Sequence, residues 1–435
     1  MDVVVAFFDW ALIITSTYCL FRTYHRIVHL EGASLGNYVL MVIWVFCCLP
    51  ILLNYVIGMP TYDVVHWYKP FIVPMEDPTV CIIYDVMVLV AVWSVYFYCN
   101  SFQKSGRRRK TEAGARWGGT FFESPYATLI FVLLPYVYVL ASGQASSFLT
   151  YGSFNTRGLQ GDLSTVLTGL LLLSLIFFCN WFFRRERLGG WHALLLVLYT
   201  FTIVWLSGKR YMIALCGILY LYYFMERDPS EAARRRLGRV LPIALVALLG
   251  FSAYYLVAVK PLADTSTASV YDMLRVDYGR DDVTKYVIYH ELILHDHILD
   301  YPGETFLSTF LIWVPRAIWP AKPYQHFQYL TSSILGLPID RLPAGTTPCW
   351  YEMCIANFSW MGILVAWVLL VLFIRWSDRA RFVSTRAILL VLLIVLLTQS
   401  IDAYTAFVLL FMAQYVVTKL LDSARSAQTV RRRRV

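Results

Sequence analysis

Apolar segments long enough to cross a bilayer alternate with short polar segments along the whole chain. A transmembrane helix needs about 20 mostly apolar residues, and windows of this kind predict about 11 helices. Backbone polar groups must bond internally in lipid, so we expect an all-α, polytopic integral membrane protein. The predicted spans are 3–21, 37–58, 79–100, 126–142, 164–183, 191–207, 211–225, 240–259, 353–374, 387–400 and 403–421.

One polar segment, 260–350, is much longer than a connection between helices needs. It is rich in aromatic and aliphatic residues, which argues against disorder. It separates N-terminal transmembrane helices (1–259) from C-terminal transmembrane helices with a basic cytoplasmic tail (351–435). Within it, 306–319 is apolar but short and is interrupted by Pro315 and Arg316. We therefore predict a re-entrant or interfacial helix there.

The placement of basic residues predicts the orientation. The chain is 59% hydrophobic and 15% charged, with a formal net charge of +9. Lysines and arginines concentrate in alternate short loops and at 431–434, which the positive-inside rule assigns to the cytoplasm. The N-terminus and the loop 260–350 are then predicted outside, and the C-terminus in the cytoplasm. The basic residues indicate topology, and no nucleic-acid-binding motif accompanies them.

The densest charge cluster of the outer loop contains Arg275, Asp277 and Arg280. It comes just before a helix that is predicted to have Asp281 or Asp282 as its N-cap. One face of this helix is predicted to hold Val283, Val287, Leu294 and Ile298. Arginine forks match phosphate geometry, and a carboxylate can accept a proton from an attacking hydroxyl. The cluster therefore predicts a site for a diphosphate and a sugar hydroxyl. A solvated helix start with local ion pairs is the alternative.

His290 and Glu291 lie on the predicted helix, where we expect His290 to be a packed or hydrogen-bonding residue. Their spacing to the next histidine does not place two imidazoles on one helix face, and no Asp-x-Asp pair is present. We therefore expect neither a metal ion nor a cofactor.

A second candidate segment is 313–323, which holds Arg316 and Lys322 among three prolines and two tryptophans. Prolines fix the backbone and tryptophans favour the membrane interface. Two rigid cations at headgroup depth suit a lipid-linked phosphate, whereas a plain interfacial turn is the alternative. Tyr324 offers an aromatic face for a sugar.

Four further residues complete the candidate substrate-binding set. Lys209 and Arg210 open a span on the outer side against the positive-inside trend, so they are either functional or extended towards headgroup phosphates. Glu352 and Asn357 begin the span after the loop and could border a cavity. They are five residues apart, so they do not stack on one helix face.

These landmarks occur in a fixed order: Gly208-Lys209-Arg210, Arg275-x-Asp277, Pro315-Arg316-x-x-Trp319-Pro320-x-Lys322-Pro323, and Glu352 followed by Asn357-Phe358. The order resembles the O-antigen polymerase family, the Wzy-type oligosaccharide repeat-unit polymerases. The similarity covers about 191–362. Where the family often has Asn-Phe-Gly, this chain has Asn357-Phe358-Ser359, with Gly362 retained.

The resemblance implies a GT-C-like glycosyltransferase of the bacterial inner membrane, in lipopolysaccharide biosynthesis. It would join undecaprenyl-diphosphate-linked oligosaccharides at the periplasmic face, with membrane lipids, a flippase and a chain-length regulator as partners. Cations would stabilise the leaving lipid diphosphate, and the base would be Asp277, Glu291 or His290. An O-antigen ligase and a lipid-linked oligosaccharide flippase are the alternatives.

Overall fold

A computed structural model describes most of the chain, and every regular element in its described residues is a helix. The described residues are 2–29, 33–62, 66–109, 124–143, 145–149, 162–185, 189–209, 211–227, 278–311, 318–342, 345–380 and 382–400, with isolated residues 230, 237, 238, 246, 250, 271, 272, 275, 276, 314, 407, 408, 412 and 416.

The first five helices form the N-terminal part of the chain. They are α1 (Val3–His29), α2 (Gly36–Ile43), α3 (Leu49–Val56), α4 (Ile72–Glu76) and α5 (Pro78–Arg109). A π-helical turn, Trp44–Cys48, joins α2 to α3, and a 3₁₀ turn, His66–Phe71, precedes α4. Helices α1, α2 and α5 pack against one another through apolar faces.

Nine further helices follow in the described residues. They are α6 (Pro125–Ala141), α7 (Asp162–Phe183), α8 (Gly190–Ser207), α9 (Tyr211–Arg227), α10 (Asp281–Ile288), α11 (Glu304–Phe310), α12 (His326–Leu335), α13 (Trp350–Asp378) and α14 (Val383–Thr398). Helix α10 continues as a second π-helical turn, Tyr289–Leu294. Short 3₁₀ turns lie at Ala145–Phe148 and Ile339–Arg341.

Helices cover nine of the eleven predicted spans, and the other two, 240–259 and 403–421, lie largely outside the described residues. In the part of the chain that the structure describes, six helical segments are long and apolar enough to cross a membrane: Val3–Val28, Gly36–Val56, Pro78–Gln103, Val166–Phe183, Gly190–Ser207 and Trp350–Asp378. Shorter apolar helices are Pro125–Ala141 and Val383–Thr398. The protein is therefore a helical, membrane-embedded protein.

The chain divides into two compact units. One contains Met1–Gly114, Pro229–Arg379 and Leu390–Ala403, and the other contains Ala115–Asp228, Ala380–Leu389 and Tyr404–Val435. In the second unit, α6 and α7 pack closely, with the Phe131 and Phe177 rings stacked at 4.4 Å. In the first unit, α10 packs against α4, α5 and α13. This unit holds most of the candidate site residues.

Two expectations for the outer loop need correction. The helix begins at Asp281 with Arg280 as its N-cap, so the two aspartates form the first turn and neither is the N-cap. Leu294 is half exposed and does not share the buried face of Val283 and Val287, because the π-helical turn rotates it away. In 306–319 the structure shows α11 ending at Phe310, and Ile312, Trp313 and 315–317 lie outside the described residues.

Candidate functional site

Helix α10 is buried along its entire length although it carries three charged residues in eight. Asp281 and Asp282 are fully buried and Lys285 is nearly so. Charged side chains are almost never fully buried unless they are paired. A buried polar helix of this kind is a candidate functional site, and each charge on it must be matched to a partner.

An ion pair fixes the start of α10. Arg275 donates from Nη1 and Nη2 to the two carboxylate oxygens of Asp281, at 2.9 and 2.5 Å, and from Nε to Asn54 of α3 at 2.9 Å. Burial alone would lower the pKa of Arg275 and raise that of Asp281. Each partner's charge outweighs burial, so the pKa of Arg275 is raised and that of Asp281 is lowered.

Gly279 makes this close pairing sterically feasible. A Cβ atom at Gly279 would overlap Arg275 Nη1 and would lie 2.6 Å from Asp281 Oδ1. Any other residue would therefore push the guanidinium and the carboxylate out of place. The sequence holds this glycine in Tyr278-Gly279-Arg280, but nothing in the motif alone shows which atoms it must clear.

The π-helical turn between α2 and α3 also holds the start of α10 in place. Pro50 has no N–H, so it cannot bond to the carbonyl of Phe46 four residues earlier. That carbonyl accepts the backbone N–H of Arg280 at 3.0 Å. The ring of Tyr278 stacks on Phe46, with centroids 5.2 Å apart. Arg280 is thus anchored through its backbone.

Two side-chain atoms beside this anchor have no hydrogen-bond partner in the described part of the chain. They are Nε of Arg280 and Oδ2 of Asp282, and both are buried. Arg280 also donates from Nη1 to the carbonyl of Thr347 at 2.9 Å, and Asp282 Oδ1 accepts the Val283 N–H at 2.8 Å. Unsatisfied buried polar atoms are costly. Arg280 Nε is a donor and Asp282 Oδ2 is an acceptor, two residues apart in the sequence, so the two atoms suit a ligand that has both an acceptor and a donor.

The protonation of Asp282 follows from its surroundings. Burial is the main reason that its pKa is raised, to about 8, and the negative charge of Asp281 adds to the effect. Arg275 and Arg280 act in the opposite direction but are outweighed. Asp282 is therefore mostly protonated at neutral pH and titrates close to it, which suits a group that exchanges a proton with a substrate.

Glu352 and Asn357, predicted to border a cavity, have their polar atoms committed within the protein. Glu352 accepts the Cys349 N–H at 2.5 Å, which completes a capping box, and also meets the Thr284 hydroxyl. The Cys349-x-x-Glu352 spacing in the sequence predicts this role of Glu352, since it follows the capping-box pattern. The side-chain oxygen of Asn357 accepts the Thr305 N–H, and its side-chain nitrogen donates to the Thr305 hydroxyl. These two bonds link α11 to α13.

The far end of α10 has a different environment. Glu291 is buried, and its oxygens accept the Ile298 N–H at 2.8 Å and face His297 Nδ1 at 3.0 Å. The His290 ring packs against that of Tyr286 at a tilt of 37°, and its Nδ1 lies 3.2 Å from Asp296 Oδ2. No group of three or more potential metal ligands forms among the described residues.

The remaining predicted residues lie elsewhere or outside the described residues. Lys322 is buried and donates to the Val314 carbonyl at 3.0 Å, while Tyr324 packs against Tyr329. Lys209 belongs to the second unit and follows Gly208, which ends α8 at φ +60°, a conformation that favours glycine. Asp277, Arg210 and Arg316 lie outside the described residues.

The structure therefore brings together Arg275, Arg280, Asp281 and Asp282. It gives His290 and Glu291 separate surroundings about ten residues further on, which is roughly 15 Å along a helix. The chain matches no protein-family model, and no curated protein or solved structure matches it.

Proposed function

We propose that this protein is a glycosyltransferase that joins undecaprenyl-diphosphate-linked oligosaccharide repeat units at the periplasmic face of a bacterial inner membrane. The observation that carries the proposal is the pair of unsatisfied atoms, Arg280 Nε and Asp282 Oδ2, at the start of α10. A lipid-linked sugar offers a diphosphate oxygen to the first and a hydroxyl to the second. The order of sequence landmarks and the helical membrane fold support the same function.

The reaction needs a base and a stabilised leaving group. The acceptor hydroxyl oxygen attacks the anomeric carbon, and the bond from that carbon to the lipid diphosphate breaks. The hydroxyl proton passes to an enzyme carboxylate, and the lipid diphosphate leaves with the bonding electrons. Arg280 stabilises the charge that develops on the leaving group, as fixed donors do in other transfer reactions. Asp282 accepts the proton in the fraction of molecules in which its carboxyl group is ionised, and its raised pKa makes that carboxylate a stronger base.

Asp282 suits the role of base better than the residues first considered. Both oxygens of Glu291 already have partners, and Asp277 lies outside the described residues. His290 is separated from Arg280 by about 15 Å of helix, estimated from the rise per residue. A base must be within hydrogen-bond reach of the attacking hydroxyl, and Asp282 is two residues from Arg280 in the sequence and within electrostatic reach of it.

Arg275 takes a positioning role in this proposal. Its three guanidinium nitrogens already bond Asn54 and Asp281, and its side chain is buried. It therefore has no donor directed to a substrate without breaking the pair. The pair instead holds Arg280 and Asp282 in fixed positions, and preorganised groups of this kind lower the cost of reaching the transition state.

A glycine-type conformation in α13 also supports the resemblance. Ser359 has φ 51° and ψ −132°, which interrupts the helix, and a Cβ atom at Gly362 would overlap the Cys354 carbonyl. Residues other than glycine are strained in such conformations. The family often has glycine at this position, as the third residue of Asn-Phe-Gly. Ser359 therefore has a backbone conformation that suits the family's glycine, although this chain has serine there.

The test is polymer formation by purified full-length protein supplied with lipid-linked repeat units. Arg280→Gln removes one donor and its charge, and we expect a rate loss of about 100-fold or more. Asp282→Asn removes the base, for which a comparable loss of about 100-fold is expected. Arg341→Gln is the matched control, since Arg341 is exposed and only loosely paired with Asp340. Wild-type rates in both site variants would contradict the proposal.

The same assay separates the two alternatives. Polymer that remains attached to undecaprenyl diphosphate supports a polymerase, whereas glycan transferred to lipid A supports a ligase. Movement of lipid-linked repeat units across a vesicle without a new glycosidic bond supports a flippase. We expect the first of these outcomes.

A further inference from the structure

A second group of buried ionisable side chains lies in the first unit, where two helices predicted to span the membrane, α1 and α5, come close to α10 of the outer loop. It contains Asp9 of α1, Asp85 of α5 and Lys285 of α10, all of them buried. Asp85 is within electrostatic reach of both Asp9 and Lys285. Lys285 also lies over the ring of Tyr84, with Nζ 5.3 Å from the centroid. Ionisable groups inside a helical bundle usually mark ion or proton pathways.

Asp85 is the unusual member of this group. Only 1% of its surface is exposed, no donor group reaches either carboxyl oxygen in the described part of the chain, and its carboxyl group is close enough to that of Asp9 to share a proton with it. Asp9, by contrast, accepts a hydrogen bond from the Tyr55 hydroxyl at 2.8 Å. An ionised carboxylate without donors is very costly to bury, and a neutral carboxylic acid is much less so.

The balance of charge around α10 leads to the same conclusion. Five buried carboxyl groups lie around α10, on Asp9, Asp85, Asp281, Asp282 and Glu352, together with two buried cations, on Arg275 and Lys285, and the partly buried Arg280. Asp281 is ionised in its pair with Arg275. Uncompensated buried charge is strongly destabilising, so neutrality requires two bound protons. One belongs on Asp282, and the hydroxyl donor at Asp9 leaves the other for Asp85.

We propose that Asp85 is a buried proton-binding site, held between Asp9 and Lys285 inside the bundle. The site takes one proton as the carboxylate becomes a carboxylic acid and releases it by the reverse step, with Lys285 compensating the charge of the ionised form. It does not depend on the glycosyltransferase proposal, because the proton count uses the burial and charge of Asp282 and not a role of that residue in glycosyl transfer. Several helices contribute charged or titratable groups that interact with Asp85. They are Asp9 from α1, Cys48 from the π-helical turn, Tyr55 from α3, Cys81 and Tyr84 from α5, and Asp281 and Lys285 from α10.

Infrared difference spectroscopy on the purified full-length protein in lipid nanodiscs tests the site directly. At pH 7 we expect the carbonyl stretch of a protonated carboxylic acid that Asp85→Asn removes and Asp85→Glu shifts. Asp340→Asn is the matched control, because Asp340 is exposed and should leave this band unchanged. A band that persists unaltered in Asp85→Asn would overturn the proposal.

The folding of Asp85→Asn is itself part of the test. An asparagine amide resembles a neutral carboxylic acid in size, so we expect a folded protein whose unfolding temperature at pH 7 is no lower than that of the wild type. If Asp85 were instead the ionised partner of Lys285, the substitution would leave a buried lysine unpaired and prevent folding. Loss of the folded protein would therefore also overturn the proposal.

Discussion

The two ends of α10 differ in a way that the sequence alone does not suggest. The far end, with His290, Glu291 and His297, has more of the residue types expected of a catalytic site. The side chains at this end bond to the loop that follows the helix, as Glu291 does to His297, and the His297 side chain is largely exposed. The start of the helix is buried and contains the unsatisfied donor and acceptor. In α10, the unsatisfied buried polar atoms indicate where a ligand binds better than the presence of histidine and glutamate does.

Breaking the ion pair at the buried end should have the largest effect on stability. Arg275→Ala leaves Asp281 buried without a partner, and we expect a loss of about 3–5 kcal/mol in the free energy of unfolding. The control at the exposed end is His297→Ala, with an expected loss below about 1 kcal/mol. Chemical denaturation of the purified variants measures both. Equal losses would contradict the difference between the two ends.

Gly279→Ala tests how closely the start of α10 is packed. The new methyl group would overlap Arg275 Nη1, and we expect a loss of about 1–3 kcal/mol. Gly217→Ala in α9 is the matched control, because a Cβ atom there meets nothing within 4 Å. That variant should be neutral or slightly stabilising, since alanine favours helix. A neutral result for Gly279→Ala would show that the pair has room to move.

The pH dependence of stability sharpens the comparison further. Asp282 has a pKa of about 8 in the folded protein and about 3.9 in an unfolded chain. Between these values the folded state holds a proton that the unfolded state has lost. The contribution of Asp282 to stability is therefore fully present below about pH 4 and is lost as the pH rises towards 8, at up to about 1.4 kcal/mol per pH unit.

Unfolding curves of Asp282→Asn and wild type between pH 4 and pH 8 measure this contribution. The variant should gain stability relative to wild type as the pH rises, because the amide cannot ionise. Asp296→Asn is the control at the exposed end, where the side chain is 71% exposed, and should parallel the wild type. A constant difference between Asp282→Asn and wild type across the range would show that Asp282 does not titrate there.

The smallest expected effect is a gain in stability within α13. Ser359→Gly relieves a backbone conformation that costs a residue other than glycine about 1–3 kcal/mol, so we expect a gain of about 1 kcal/mol. Ser377→Gly, in the helical part of α13, should lose about 1 kcal/mol. If both substitutions were destabilising by the same amount, Ser359 would not be strained.

The length and composition of the apolar runs are sufficient to predict the long apolar helices that the described residues contain. Each predicted span within the described residues coincides with a helix because a run of about 20 apolar residues has few other stable conformations in lipid. The boundaries moved mainly where helices continue past the apolar run, as α5 does from residue 100 to Arg109. Length and composition decide these elements, and both can be read directly from the sequence.

The site was only partly predictable. The cluster of Arg275, Arg280 and the following aspartates was correctly recognised as dense in charge, but its burial was not predicted. Burial depends on α4, α5 and α13 surrounding α10, and these helices are far away in the sequence. Asp282, Lys285 and Gly279 were therefore missed as individual residues. The roles of Asp277, Arg210 and Arg316 stay predictions.

The affinity of the purified protein for undecaprenyl diphosphate tests the central claim most directly. If the start of α10 binds the diphosphate through Arg280, then Arg280→Gln should weaken binding by roughly 10- to 100-fold, the range expected for a charged hydrogen bond of about 1.5–3 kcal/mol. Arg341→Gln should leave the affinity unchanged. An Arg280→Gln variant that stays folded and binds with wild-type affinity would contradict the account.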